Sequence, residues 1–367
     1  MRLIRKIMII TGTILAVLAL GVFLFMQQAV FGKNPSGARL ERIKKSPHFI
    51  DGSFHNLTPT VVMREGASYF KLMKEGFNKP ATVQPDSILP SVKTDLMNLP
   101  SDRISIVWFG HSSYLIKTKE ATILVDPVFS GVASPVSFFG NAFKGSDIYT
   151  AEDMPEIDIL IITHDHYDHL DYPTMLKLKP KVKKIYTALG VGSHLEYWGF
   201  EPEKIVELDW WESSKVSEQI QITAAPARHF SGRGFVRAKT LWASFVVQTG
   251  QHNILVGGDS GYENHFKAIG EKYGPFDIVM LESGQYGVDW PQIHMLPEET
   301  VIAAKDLKAK VLFPVHWTKF ALANHEWDEP ANRVVKSAAE NQQKITTPMI
   351  GQPIVLDSVY PDKQWWK

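Results

Sequence analysis

Three histidines fall within six residues in the run Thr163-His164-Asp165-His166-Tyr167-Asp168-His169. Neutral imidazole and carboxylate are good donors for zinc and similar divalent cations. The alternating and adjacent spacing can aim His164 and His166 at one ion while Asp168 and His169 reach a second. Two such ions about 3.5–4 Å apart can share a hydroxide and lower its pKa towards neutrality. The expected chemistry is therefore hydrolysis, with attack on phosphorus in a phosphodiester or on carbon in an ester or lactone. Asp168 is expected to orient the nucleophile as well as to ligate, and Asp165 to support a ligand from behind. The chain has no cysteine, so disulfides, thiolate ligands and a cysteine nucleophile are excluded.

Such a cluster must stand at the end of something rigid. Residues 157–163 form an apolar run broken only by Asp158 and closed by Thr163, the pattern of a strand buried on both faces. Stretches rich in β-branched and aromatic residues at 104–109, 113–117, 122–125, 184–187, 204–208, 219–224, 244–248, 253–256, 277–281 and 310–314 read as further strands. Helices are expected at 61–76, 172–178, 191–198, 262–273 and 297–307. The last has Pro297 at its start and Glu298 and Glu299 in its first turn. Strands outnumber helices and helices recur between them, which predicts an α/β protein with large internal sheets flanked by helices.

The H-x-H-x-D-H pattern resembles the signature of the metallo-β-lactamase superfamily. The resemblance spans about residues 100–350 and implies that superfamily's four-layer αββα sandwich, with three more ligands, each just past a strand. His229 in Pro226-Ala227-Arg228-His229, Asp259 in Gly257-Gly258-Asp259-Ser260-Gly261 and His316 in Pro314-Val315-His316-Trp317 stand at those places. By this resemblance His164, His166 and His229 hold one metal, Asp168, His169 and His316 the other, and Asp259 bridges. The implied cofactors are two Zn2+, with Fe or Mn as other divalent candidates. Within the superfamily, Trp108-Phe109-Gly110-His111-Ser112-Ser113, the run Ile123-Leu124-Val125-Asp126-Pro127-Val128-Phe129, and His294 ahead of Leu296-Pro297-Glu298-Glu299 are similar to one branch. That branch contains N-acyl-phosphatidylethanolamine-hydrolysing phospholipase D and also lactonase-like bacterial proteins.

Several residues then have two readings each. His294 is a candidate for binding a developing oxyanion or protonating a leaving group, or else a structural histidine. Asp126 either orients a ligand histidine or serves a turn. Arg233, in Ser231-Gly232-Arg233-Gly234, is a candidate to meet a substrate phosphate. Tyr286, with Trp210, Trp211 and Trp290, lines an acyl groove or belongs to the core. The loop carrying Phe138, Phe139 and Phe143 either touches lipid or tucks in. His48, His55, His194, His252, His265 and His325 show no partner in the sequence and read as structural or surface residues.

Arg2, Arg5 and Lys6 precede a run from Ile7 to Met26 without a charged residue. That run has about the 20 residues needed to cross a bilayer as a helix. It predicts an uncleaved signal anchor over residues 1–30, a connector and extension over 31–100, and a catalytic domain over 101–367. The leading positive charges favour an extracytoplasmic catalytic domain, although Lys33, Arg39, Arg42, Lys44 and Lys45 pull the other way. A formal net charge of zero supplies no field that draws nucleic acid. The expected partners are therefore a phospholipid or other small ester and, through the first helix, the membrane. The favoured expectation is an anchored dizinc phosphodiesterase of phospholipase D type acting on N-acyl-phosphatidylethanolamine or related lipids. A lactonase or other carbonyl-ester hydrolase would use the same metals. A non-catalytic, metal-stabilised membrane protein fits less well, because a structural zinc site is usually closed and four-coordinate.

Overall fold

The computed structural model describes residues 2–68, 74–76, 78–100 and 102–367. A short hairpin of β1 (Phe49–Ile50) and β2 (Ser53–Phe54) comes first. Its Asp51-Gly52 turn has positive φ at both residues, which Asp and Gly tolerate. Then follow β3 (Ser105–Trp108), β4 (Tyr114–Lys117), β5 (Thr122–Val125), β6 (Ile157–Ile162), β7 (Val182–Ala188) and β8 (Ile205–Leu208). The second sheet comprises β9 (Ser213–Lys215), β10 (Ile220–Ala225), β11 (Ser244–Thr249), β12 (His252–Val256), β13 (Ile278–Glu282) and β14 (Leu312–Val315), before β15 (Pro353–Val355) returns to the first. The seven-stranded sheet runs β15-β3-β4-β5-β6-β7-β8 and the six-stranded sheet β14-β13-β12-β11-β10-β9.

The strand sequences explain the layers. Phe245, Val247, Ile254, Val256, Ile278 and Met280 join the large core that also takes Ile106, Ile116, Leu124 and Leu160 from the first sheet. Their alternate neighbours Val246, Leu255 and Val279 enter a second core. That second core is closed by α5 (His265–Tyr273), α6 (Pro297–Asp306) and α7 (Glu329–Glu340), through Phe266, Ile269, Val301, Ala304, Val334 and Ala338. On the other side α3 (Tyr172–Leu178) and α4 (Gly192–Tyr197) contribute Met175, Leu178 and Leu195 to the large core. The result is helix, sheet, sheet, helix, the arrangement the sequence implied. β6 lies centrally, parallel to β5 and β7. Its Ile159–Ile162 are all buried, and each such side chain contributes about 1.5–3 kcal/mol relative to exposure.

Some elements depart from the pattern. α2 (Gly37–Ile43), β9 and β15 are short and carry little periodic signal, and the amphipathic α7, which buries Ala331, Val334 and Ala338, is an addition to the helices expected. Of the helix expected at 61–76, residues 74–76 are helical and 61–68 have no regular structure, while 69–73 lie outside the described residues. The extension before the catalytic sheets packs onto them: Arg39 pairs with Glu196 and Glu207, and Arg64 with Asp289. α1 (Arg2–Phe25) has no buried residue and is long and apolar enough to cross a membrane.

Candidate metal centre

Every expected ligand lies just past the carboxyl end of a strand, and all of these strand ends open on one edge of the two sheets. β6 leads into His164–His169, β10 into His229, β12 into Asp259 and β14 into His316. The delivery of Asp259 depends on glycine. A Cβ on Gly257 would lie 2.2 Å from the Met280 carbonyl oxygen, and one on Gly258 2.6 Å from that of Ala243. Only a residue without Cβ lets the end of β12 pass between its neighbours.

The seven expected residues come together as two clusters that share a wall. His164, His166, His229 and Asp259 bring donor atoms within 4.8 Å of one another, and so do Asp168, His169, His316 and a newcomer, His111. In the first, His166 Nδ1 lies 2.9 Å from His164 Nε2 and 3.2 Å from His229 Nε2. Asp259 Oδ2 is 3.8 and 3.7 Å from those two Nε2 atoms and 3.2 Å from His169 Nε2, while Oδ1 is 3.1 Å from His316 Nδ1. Asp259 thus faces both clusters.

These residues fit a pair of cations. Burial pushes the imidazoles of His164, His229 and His316 well below their ordinary range, leaving each a neutral donor. Burial also opposes charge on His169, but Asp259 and Asp168 outweigh it and hold that imidazole well above its usual value. The site therefore draws positive charge to itself. His169 Nε2 and Asp259 Oδ1 are buried without a hydrogen bond although each has an opposite group close by. Unpaired buried polar atoms are costly, and donors that converge without pairing suit a metal between them.

The surrounding side chains hold the ligands. Asp126 accepts from Thr163 N at 2.9 Å and Thr163 Oγ1 at 2.6 Å, and lies 2.8 Å from His169 Nδ1. Of its two readings, the orienting one matches the geometry. Asp165 takes hydrogen bonds from Gly232 N and Thr240 Oγ1 and lies 3.1 Å from His194 Nε2. It stands behind the site, and His194, which showed no partner in the sequence, is its buried partner. His111 Nε2 is 2.9 Å from Asp168 Oδ2, and Ser112 Oγ is 2.9 Å from His316 Nδ1. Both come from the β3–β4 turn, inside a motif the sequence displayed without revealing its role. His111 has positive φ there, a conformation uncommon outside glycine.

His294 Nδ1 lies 2.8 Å from Glu282 Oε2, and Glu282 was not anticipated. It ends the apolar strand β13 and is 1% exposed, a buried carboxylate that itself signals function. Burial, with Asp259 nearby, pushes Glu282 up to about 7 against the pull of His294. Burial disfavours charge on His294 too, but Glu282 overcomes it and holds His294 up to about 9. The His294 ring sits 5.0 Å from that of His229 and 5.4 Å from that of His316, at the edge of both clusters.

Two cavities meet at His294 and Trp290. One of about 240 Å³ covers the ligands, with Val62, Met63, Phe230, Arg237 and Ile293 in its walls. The other, about 730 Å³, is lined by Tyr286, Val288, Pro291, Leu296, His325 and Arg333 among others. Tyr286 stands in this larger space, its hydroxyl donating to Glu329 at 2.9 Å. Trp210 does not. It is buried and donates to the Trp242 carbonyl at 2.7 Å, while Trp211 stacks on Tyr273. Arg233 is also placed differently from expectation. Its buried guanidinium donates to the carbonyls of Val30, Asp165 and Leu170, so it braces the signature loop and offers a phosphate nothing. In the phenylalanine loop the outcome divides: Phe143 is buried, and Phe138 and Phe139 are exposed.

Two histidine–carboxylate clusters sharing one aspartate, at the edge of an αββα sandwich and under an open cavity, define a metal-dependent hydrolase. Residues 121–317 match the Beta-lactamase superfamily domain, and the chain belongs to that superfamily. It is 36% identical over 329 residues to an uncharacterized protein of Mycobacterium tuberculosis, covering 88% of each chain. It is 31% identical over 233 residues to N-acyl-phosphatidylethanolamine-hydrolyzing phospholipase D 1 of Caenorhabditis elegans, a match to 60% of this chain and 65% of that protein. Among solved structures, a metallo hydrolase from the archaeon Ignicoccus hospitalis superposes with a TM-score of 0.55 at 20% identity, over 70% of this chain and 99% of that one.

Proposed function

We propose that the chain is a membrane-anchored, two-metal phosphodiesterase of phospholipase D type, acting on N-acyl-phosphatidylethanolamine or a related lipid. The observation that carries this is the junction at His294. There the double cluster opens into an apolar-walled cavity of about 730 Å³, room for part of an acyl chain beside a reacting headgroup. The similarity to the nematode phospholipase supports the substrate class, and the uncovered apolar helix α1 supports the anchor.

In this reading His164, His166 and His229 hold one ion, Asp168, His169 and His316 the second, and Asp259 both. When bound, the ions supply Lewis acidity and an activated water. The rest falls to the chain. Asp168, fixed by His111, orients the attacking water. His294, kept protonated by Glu282, donates to the oxygen that gains charge or to the departing alkoxide. Val62, Met63 and Phe230 shield the site from bulk water.

The test is a hydrolysis screen with detergent-solubilised full-length protein, lipid phosphodiesters against lactones. Cleavage of N-acyl-phosphatidylethanolamine to phosphatidic acid and an N-acylethanolamine is expected. Turnover of lactones with none of any phosphodiester would overturn the substrate class and leave the metal site standing.

A further inference from the structure

The loop Gly234–Arg237 joins two parts of the molecule that are far apart in sequence. At one end it meets the exit of α1: a Cβ on Gly234 would come within 2.9 Å of Met26 Cε, and Met26 directly follows the last helical residue, Phe25. At the other end, Arg237 forms part of the wall over the metal ligands, with His166, His229 and Asp259. Between them Phe235 is 81% exposed, and Val236 is exposed as well. A solvent-facing phenylalanine beside a valine on a loop tip has no folding rationale.

The segment behind this loop is fixed. The Val30 carbonyl accepts from Arg233 Nε at 3.1 Å, and Lys33 N donates to His194 Nδ1 at 3.0 Å. Phe31 packs edge-on against Tyr167 at 6.4 Å, and Trp198 Nε1 donates to the Ala29 carbonyl at 2.8 Å. The end of α1 is thereby tied to the signature loop, and the exposed pair is held at the level where the helix leaves the bilayer. Arg237 supplies the charge argument. Among the described residues it has no carboxylate partner, and its guanidinium lies 5.1 Å over the Phe230 ring. A cation without an anion, at the mouth of a site beside a membrane exit, complements a lipid phosphate.

We propose that residues 234–237 form an interfacial loop, with Phe235 and Val236 in the apolar edge of the leaflet that α1 leaves and Arg237 against the phosphate of a lipid entering the site. This rests on the anchored lipid-hydrolase reading above. It gives that reading a direction of entry: the lipid reaches the metals past Arg237 without leaving the bilayer. Apolar side chains such as phenylalanine bury at the headgroup–acyl boundary.

The absence of cysteine makes the test direct. Full-length Phe235→Cys and Glu218→Cys proteins, reconstituted in phosphatidylcholine vesicles, each carry one spin label. Collision with oxygen and with a water-soluble nickel chelate reports depth. The label at 235 should favour oxygen and the label at 218 the chelate. Equal chelate access at both positions would overturn the loop's insertion. Separately, Arg237→Gln should weaken binding of soluble dihexanoyl phosphatidic acid roughly tenfold, the modest effect expected of an exposed charge-assisted contact. Unchanged affinity would overturn the role of Arg237. Neither readout needs turnover. A chain that inserts and binds this lipid but cleaves no phosphodiester would therefore sink the proposed substrate and not the loop.

Discussion

Around His164 and His229 the supporting neighbours are local or backbone groups. His164 Nδ1 faces the Thr163 hydroxyl, and His229 Nδ1 faces the Ile293 carbonyl. Around Asp168, His169 and His316 each ligand instead meets a side chain from a distant strand end: His111, Asp126 and Ser112 in turn. The two halves of the centre are thus held by different means. The first rests on the Thr163 hydroxyl and the Ile293 carbonyl, with Asn56 clasping the His229 backbone. The second can be tuned through Asp126, which stands outside both donor clusters, since such outer partners fix the orientation and basicity of ligands.

The largest expected effect erases the comparison. Asp259 faces both halves, so Asp259→Asn keeps the shape but removes the negative charge that the two proposed ions would share. Both should be lost together, with turnover, as elemental analysis and a rate assay on the same sample would register. An Asp259→Asn protein with full metal content would remove Asp259 from its bridging position.

Next comes a residue at the edge of both halves. His294→Ala should leave both ions bound and lower kcat on the order of 10²–10³-fold, the usual loss for one donor to a developing charge, with little change in KM. If His294 protonates the leaving group, the defect should shrink on a nitrophenyl phosphodiester, whose leaving group needs no proton. Loss of metal in this variant would make His294 a ligand.

The comparison is sharpened by Asp126→Asn. This change should weaken chiefly the ion held by Asp168, His169 and His316, by roughly 10–100-fold, with a smaller loss at the other through Thr163, whose hydroxyl links Asp126 to His164. A chelator titration should then become biphasic, one ion leaving early and one close to where it leaves in the wild type. Uniform weakening of both ions would show that the halves are not independently held.

What the sequence displayed follows the same division. The signature loop was legible because its ligands are contiguous, whereas His229, Asp259 and His316 entered through the superfamily resemblance, each just past an expected strand. His111, Glu282 and His194 were not. Their roles exist only once distant strand ends meet, and nothing local distinguishes His194, on a short helix, from any other histidine. Glu282 had one available signal, a carboxylate closing an apolar strand, which the strand expected at 277–281 stopped short of by one residue. Arg233 misled because a Gly-Arg-Gly segment beside a ligand looks exposed, and only the fold reveals three carbonyls waiting for it.

A smaller effect concerns stability. Burial, with Arg228 nearby, pushes His265 down to about 3, against about 6.5 when unfolded. The fold keeps it neutral while the unfolded chain takes up a proton below about pH 6.5, so this contribution to stability is lost progressively from there down towards pH 3. His265→Gln should unfold with a shallower acid dependence over that window. An identical slope in wild type and variant would contradict the assignment.

The proposed centre would hold two ions through nitrogen and oxygen ligands alone. Metal stoichiometry of the purified full-length protein, with X-ray absorption at the metal edge, tests it most directly. Two ions per chain are expected, each in an N/O environment with a metal neighbour about 3.5–4 Å away. One ion per chain at full activity, or full hydrolase activity with none, would contradict it.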